Sequence, residues 1–471
     1  MPPLKLPTTS IALALSFLCL TLLAGCSYWQ KSIPSTLRPN IPSDWSTAQT
    51  EVLSISTELL DLIDDTKLQQ LVGEALENNP NLRVTALRLN ASGSLLKAQS
   101  STLLPQIEAQ FDKSRDNQNL HNTMNSHQLG FGIQWEIDLW NRLADGVEAS
   151  KSSYFAEEYS YMYARDALAT RVIQAWLELI AAQQAVKIEG ELVEVLHHIE
   201  TILIDRFKNG LATLDELSTA RSRTAIAKAD LSNQQAAGKI AIRKLEILLG
   251  RYPQGELLAP HDLPSIKNPR LNTPVSVLIK RPDIRAALAQ LDAAIYRARA
   301  ANKAQLPNLS ISGQLFKEAT NIGQLNSSSA SWELLGSLFQ PLYNGGRLRN
   351  MAQARHHEAQ AQRMELHAVV LRAMEEVERL LHRQSSLTKQ IHTLEVALNE
   401  EQKSGHYYKS RYQKGLGTLQ SVLLAREQIM LIKLRLNSVK AQQLSRRIEL
   451  ALALGSGTNQ SSQYGISRHE N

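Results

Sequence analysis

Cysteine is almost missing from this chain. Cys19 and Cys26 are the only two in 471 residues. Cys19 lies in an N-terminal leader that is expected to be removed, so no disulfide can form within the mature chain. Short catalytic motifs are missing too: there is no GxxxxGK[ST] phosphate loop, no HExxH, no GxSxG and no CxxC. The usual sequence signatures of nucleotide hydrolysis, zinc proteolysis, serine hydrolysis and dithiol chemistry are thereby excluded. Histidines occur in pairs, His197–His198 and His356–His357. Adjacent helical residues point about 100° apart, whereas metal ligands on one helix sit at i and i+4. No metal, cofactor or catalytic residue is therefore expected, and enzyme is a poor reading. The leader carries one Lys and no acid, so its loss takes the formal charge from +6 to +5. Spread over this length, that charge implies no nucleic-acid partner.

Proline is unevenly withheld. None of the 16 prolines falls between Pro105 and Pro253, and none follows Pro341. Proline is tolerated poorly beyond the first turn of a helix, so these empty stretches suit helix. Residues 142–208 and 347–413 are the longest candidates, and at 1.5 Å per residue each reaches ~100 Å. Both carry too many charges to lie in lipid. Shorter helices fit 67–102, 213–249, 281–304 and 418–454. Asn79 before Pro80, and Arg281 before Pro282 with Asp283, mark two helix starts. Apolar residues recur at helical spacing, as in Val172, Ala175, Trp176 and Leu179, or Val370, Met374, Val377 and Leu381.

What is present is a duplication. NNPNLR (78–83) answers to KRPDIR (280–285), and LLPQI (103–107) to QLPNL (305–309). IDLWNRL (137–143) answers to QPLYNGGRL (340–348), and RFKNGLATLDELSTAR (206–221) to RYQKGLGTLQSVLLAR (411–426). Each copy closes on Leu-Gly, at Leu249–Gly250 and Leu454–Gly455. The offset drifts only from 202 to 205. A repeat of this length implies that each copy buries a face against the other.

Between the helices the period changes to two. In HQLGFGIQWEID, Leu129, Phe131, Ile133, Trp135 and Ile137 point one way, with Gln128, Gly130, Gly132, Gln134, Glu136 and Asp138 opposite. That is how a transmembrane barrel strand reads, apolar outward and polar inward. Residues 105–113 are its expected partner. In the second copy Leu309, Ile311, Gly313 and Leu315 make one strand, and Trp332, Leu334, Gly336 and Leu338 the other. The connections SRDNQNLHNTMNSH and KEATNIGQLNSSSA are expected as polar loops. Four strands cannot close a membrane barrel, because open edges leave backbone groups unpaired in lipid. The barrel must be shared between chains, and the number of chains is left open by this reasoning.

The N-terminus sets the compartment. Lys5, the apolar run Ile11 to Leu22, and Leu23-Ala24-Gly25-Cys26 read as a bacterial lipoprotein signal, too short to span a membrane. Cys26 is the expected lipidation site. The chain is thus organised as a signal peptide (1–25), a lipidated N-terminal segment (26–66) and a first repeat (67–250) with a hairpin at 104–140. A connector (251–280), a second repeat (281–455) with a hairpin at 306–341, and a polar tail (456–471) complete it.

The motifs LIKRPDIRAAL (278–288), WEIDLWNRL, QPLYNGGRL and the two turns RFKNGLAT and RYQKGLGT resemble those of the TolC/OprM-like outer-membrane efflux channels, in the lipoprotein branch. The resemblance covers almost all of the mature chain. It implies a mainly α fold with a transmembrane β-barrel portion, in which a homotrimer shares a 12-stranded barrel above a long coiled-coil tunnel girdled by an equatorial domain. Ser27 after the cysteine, with no Asp there, fits delivery to the outer membrane. Further implied are a periplasmic adaptor protein and an inner-membrane pump of the resistance-nodulation-division type, since a conduit without an engine borrows its energy. The resemblance places Gly210, Leu211 and Thr213 with Gly415, Leu416 and Thr418 at the periplasmic tip where the adaptor docks. Arg206, Asp215, Glu216 and Arg411 are the candidate latch of the resting gate, although Leu423 stands where relatives often carry Asp. A protein-secretion channel would share this whole fold. A periplasmic structural lipoprotein would leave the alternating strands unexplained.

Overall fold

The computed structural model describes residues 44–46, 59–63, 65–119, 122–257, 260, 262–269, 271 and 273–458. Cys26 and its leader lie outside the described residues. Eight α-helices and four strands occur among those described. The first repeat contributes α1 (Thr66–Asn78), α2 (Pro80–Ser100), β1 (Gln106–Asn119), β2 (Asn122–Ile137), α3 (Arg142–Lys208) and α4 (Leu214–Leu248). The second contributes α5 (Pro274–Lys280), α6 (Pro282–Lys303), β3 (Asn308–Ala319), β4 (Ala330–Phe339), α7 (Arg347–Gln413) and α8 (Leu419–Ala453).

The two 67-residue helices lie where the proline-free stretches placed them. The expected helix 67–102 is instead two helices. Asn79 is extended (φ −67°, ψ 120°) and its side chain accepts from the amides of Asn81 and Leu82. Pro80 has no N–H to continue α1, so the chain stops, caps and restarts. The connector 251–280 likewise ends in helix α5, with Pro274 in its first turn.

Apolar burial concentrates at one level of the long helices. Trp176, Val172, Ile173 and Leu179 of α3 pack with Leu68 and Val72 of α1, Leu245 and Leu249 at the end of α4, and Ile448 of α8. The indole of Trp176 donates to Asp65 at 3.1 Å. A second core holds Val377 and Leu380 of α7 with Leu450 and Leu454, Val277 and Trp45. Val377, Leu450 and Leu454 are the repeat equivalents of Val172, Leu245 and Leu249, so one packing solution is used twice. The first copy is larger because α1 has 13 residues where α5 has seven.

The N-terminal segment and the connector meet at this level. Ile63 and Ile266 form an antiparallel bridge, and the amide of Lys267 donates to the Leu62 carbonyl at 3.0 Å. The expected polar tail begins as packed chain: Ser456 and Thr458 are buried, and Thr458 donates to Asp166 through its amide (3.0 Å) and hydroxyl (2.9 Å). Residues 459–471 lie outside the described residues.

Candidate functional site

The strands form one antiparallel sheet in the order β1-β2-β3-β4. Cross-strand pairing aligns the apolar positions of all four. Ile107 opposes Ile133, Ile133 opposes Gly313, and Gly313 opposes Leu334; one row on, Phe131 opposes Leu315 and Leu315 opposes Trp332. One face is therefore apolar across all four strands in these rows, bordered by Lys317 opposite Leu129 and by Lys113 opposite His127. The other presents Glu108, Gln134, Ser312, Gln314 and Glu333, interrupted by Phe316 and Leu335. Leu129, Phe131, Ile133 and Trp135, the expected lipid-facing residues, are all exposed, as are Ile107, Leu334 and Leu338.

None of the described residues outside the sheet covers that face. Leu129 to Ile137 spans eight steps of about 3.4 Å, or ~27 Å along the strand, close to the ~25 Å apolar band of an outer-membrane barrel. The indole of Trp135 donates to the Leu103 carbonyl at 3.0 Å and that of Trp140 to the Pro307 carbonyl at 2.7 Å. Both tie the helix end of the sheet to the Leu-Pro turns, polar tips satisfied and ring bodies outward. No helix among the described residues is long and apolar enough to cross a membrane.

The first hairpin differs from expectation. Residues 114–119 and 122–127, expected as loop, continue the ladder, with Ser114 opposite Ser126 and Asp116 opposite Met124. Paired strand outside an apolar band gains nothing from alternation, so it carries no period-two signal. The second connection is mostly loop, as expected.

At the far end of the long helices lie the two turns. Gly210 (φ 71°) and Gly415 (φ 72°) adopt the left-handed conformation that glycine enters without steric cost. In each turn the Leu amide donates back to an Arg carbonyl: Leu211 to Arg206 at 2.8 Å, and Leu416 to Arg411 at 2.9 Å. Each glycine amide also bonds to a carbonyl of the last helical turn, the 6→1 plus 5→2 pattern that ends a helix. Thr213 and Thr418 then cap the return helices, and Glu216 completes a capping box with Thr213. Leu211 is 67% exposed and Leu416 63%, with Leu214 beside them at 64%. Two matched apolar tips stand in solvent with no core to join.

The candidate latch charges are occupied locally in this conformation. Glu216 accepts from the Thr213 amide at 2.9 Å. Arg411 donates twice to the Leu416 carbonyl (3.2 and 2.8 Å) and once to the Tyr407 hydroxyl. Of these four, Arg206 reaches the other copy, donating to the Tyr412 hydroxyl at 2.7 Å as well as to the Leu211 carbonyl. Asp215 is exposed at the start of α4. Arg223 also bonds Glu427 between the two return helices. Leu423 is buried with Leu192, Leu196 and Met430, so a packing role accounts for its identity. Tyr412 and the Arg223–Glu427 pair were not visible in the sequence. The available signal was that Tyr412 adds a hydroxyl where the first turn has Phe207.

Among the described residues no three His, Cys, Asp or Glu side chains gather as a metal site. His356 and His357 instead share Gln360 as a neighbour.

A sheet with one uncovered apolar face, joined to helices of ~100 Å ending in apolar tips, defines the class: an outer-membrane protein that reaches deep into the periplasm. The family model for outer membrane efflux proteins matches residues 71–251 and 273–456. The chain belongs to that family. It is 26% identical to outer membrane protein OprJ of Pseudomonas aeruginosa over 444 residues, 90% of this chain and 92% of that one. It is 24% identical over 470 residues to the cation efflux system protein CusC of Escherichia coli K12, covering 97% of this chain and 100% of the relative. Among solved structures, the open-state MtrE outer membrane channel of Neisseria gonorrhoeae superimposes with TM-score 0.82 at 23% identity, over 91% of this chain and 98% of that one. A membrane protein from Pseudomonas aeruginosa matches with the same TM-score at 24% identity, over 90% and 99% of the two chains. The family is one of efflux proteins, not of enzymes.

Proposed function

We propose that this chain is the outer-membrane duct of a three-part export system. The observation that carries the reading is the continuous, exposed apolar face on a four-stranded sheet whose outer strands, β1 and β4, have free edges. Four strands leave unpaired backbone in lipid; three copies bring twelve strands and no edges. The polar face then lines the barrel, and the long helices continue the passage below it. Related proteins are named for efflux of cations, pyoverdine and toluene. Such diverse cargoes on one scaffold fit a duct that selects little, with selection left to an inner-membrane pump, here of the resistance-nodulation-division type.

The exposed Leu211 and Leu416 tips are the proposed docking points of a periplasmic adaptor. Cys26 is the proposed site of a covalent lipid, the one non-protein group expected on the chain. The test is fractionation of cells expressing the chain. A trimer resistant to mild detergent, converting to monomer on heating and found with the outer membrane, supports the reading. A monomer in the soluble periplasmic fraction overturns it.

A further inference from the structure

The apolar band of the sheet ends differently at its two margins. Toward the helices its rows close on Trp135, Ile137, Leu309 and Leu338, and no cation stands on that face of the described strands there. Toward the hairpin ends the same face turns basic. Lys317 follows Leu315 on β3, and Lys113 and Arg115 follow Phe111 on β1, in steps of two that keep the side chain on one face. Lys317 shares its row with Phe111, Leu129 and Ala330, and Lys113 shares the next with His127 and Ala319. Rows are ~7 Å apart and neighbouring strands ~4.8 Å. Lys113 and Lys317, two strands and one row apart, are thus ~12 Å apart at the backbone, a gap that two lysine side chains can close on one anion. Arg115 lies one row further out, opposite Asn125.

Charge is sorted between the faces at this level. Asp112, Gln128 and Glu318 share the intervening row and belong to the opposite, polar face, where the Ser126 hydroxyl donates to Glu318 at 2.6 Å. Among the described residues no carboxylate pairs with Lys113, Arg115 or Lys317. The Lys317 ammonium donates to the Asn326 carbonyl at 3.1 Å, and Lys113 and Arg115 are exposed. Like charges gathered on one face repel unless an anion sits among them.

Within this cluster lies a buried group with an unused hydrogen-bonding atom. His127 is 8% exposed, with its ring 6.5 Å from that of Phe111. Its Nδ1 has no hydrogen-bond partner among the described residues. Such a nitrogen accepts from a hydroxyl or donates to a phosphate oxygen according to tautomer, and so suits a headgroup that carries both. Ala319 and Ala330, in the same two rows, are small and leave the cations uncrowded.

We infer that Lys113, Arg115, Lys317 and His127 form a site for the phosphorylated glycolipid of the outer leaflet, lipopolysaccharide, with its acyl chains along the apolar rows. Continuity selects this occupant. The cations extend the lipid-facing rows, whereas a free phosphate in water gains nothing from Phe111 and Leu129 beside it. The opposite margin lacks the cluster, as suits a leaflet of phospholipid. The site rests on the outer-membrane reading proposed above, which sets the hairpin ends outside and the helices in the periplasm.

The test uses the full-length trimer, extracted from the outer membrane, stripped of lipid and titrated with purified rough-type lipopolysaccharide under native mass spectrometry. Near a membrane surface each cation strengthens binding of anionic lipid about fivefold. Lys113→Gln with Arg115→Gln and Lys317→Gln should therefore weaken binding about a hundredfold, and each single change about fivefold. Asp112→Asn with Glu318→Gln, on the opposite face, should leave it unchanged. Removing the lipid A phosphates should weaken binding to the parent as much as the triple change does. His127→Phe, which keeps a ring beside Phe111, should weaken it severalfold while trimer melting is unchanged. Parental affinity in the triple variant, or in the single variants should the triple fail to assemble, overturns the site. Equal binding of phosphatidylglycerol, or full competition by millimolar inorganic phosphate, overturns the glycolipid as occupant. A parent chain that makes no outer-membrane trimer overturns the outer-membrane reading and the site together.

Discussion

Asn79 and Arg281 occupy equivalent places in the two repeats and make the same bond by different chemistry. The Asn79 amide donates to the Leu248 carbonyl at 2.9 Å, and the Arg281 guanidinium donates to the Ala453 carbonyl at 3.0 Å. Leu248 and Ala453 are themselves equivalents, each at the end of a return helix. Each bond thus fastens the foot of one short helix to the end of another, and stacks α2 on α4 and α6 on α8. Arg281 is 4% exposed and pairs with Asp283 and Glu376, each at 2.8 Å. Burial opposes its charge, but these two carboxylates outweigh burial and hold its pKa above the ordinary value.

Removing one member of a buried ion pair strands its partners, at a cost of ~3–5 kcal/mol. Arg281→Ala should therefore lower thermal stability far more than Asn79→Ala, where a cap and one neutral bond are lost, worth ~1–2 kcal/mol. Arg281→Lys should recover little, since an ammonium cannot reach two carboxylates and a carbonyl in the planar fork. Helical circular dichroism on heating in detergent decides this; equal melting for both alanine variants contradicts the account.

Much of this architecture was open to sequence reasoning, for physical reasons. The ends of α3 and α7 coincide with turns where glycine must take a left-handed conformation, and such turns are written in residue identity. The apolar sheet face was legible because lipid demands strict alternation at Leu129, Phe131, Ile133 and Trp135. The hairpin beyond Ser114 was not, because strand outside the apolar band has no face to keep dry. Neither was Arg206–Tyr412, nor Asp166–Thr458, where 292 residues separate the partners. Polar contacts between distant segments leave no periodic trace.

The sheet face makes a sharp contrast between neighbours. Ile133→Arg puts a cation into the apolar row Ile107–Ile133–Gly313–Leu334 and should cost ~2–4 kcal/mol near the bilayer midplane. Gln134→Arg, on the opposite face opposite Ser312, should leave trimer levels close to normal. Blotting of outer-membrane trimers compares them directly, and similar tolerance at both positions contradicts the assignment of faces.

Asp166 sets an acid dependence for the C-terminal segment. Burial raises its pKa above the usual 3.8, against the lowering effects of its Thr458 bonds and of Arg165. A carboxyl whose folded pKa exceeds its unfolded one adds stability that is full below the unfolded value and fades as pH rises through the folded value. Asp166→Asn carries no such charge, so its stability relative to the parent should improve as pH climbs from about 4 toward neutrality. Urea midpoints across that range check it. A difference that stays flat with pH removes the electrostatic explanation.

Cys26 is proposed to be acylated after loss of the 25 residues before it. Cys26→Ser should leave the leader uncleaved and abolish palmitate incorporation. Several acyl chains together with a barrel make an effectively permanent anchor, whereas one chain alone is marginal. Radiolabelled palmitate added to growing cells reads this out, and an unlabelled parent chain sinks the lipoprotein assignment.

The tips carry the sharpest functional test. Leu211 and Leu416 are held outward by glycine turns and by bonds from Arg206 and Arg411 to their own carbonyls. Replacing both side chains leaves those backbone bonds in place. Leu211→Ser with Leu416→Ser should therefore preserve trimers in the outer membrane yet abolish export, because only the apolar contact offered to an adaptor is lost. Glu216→Gln keeps a capping partner for Thr213, so it should change the mouth less than Asp215→Asn, which removes an exposed charge at the start of α4. Resting leakiness to a large antibiotic separates those two. The double Leu variant is judged by drug survival at matched channel levels. Full survival there would mean that the two turns only end one helix and begin the next.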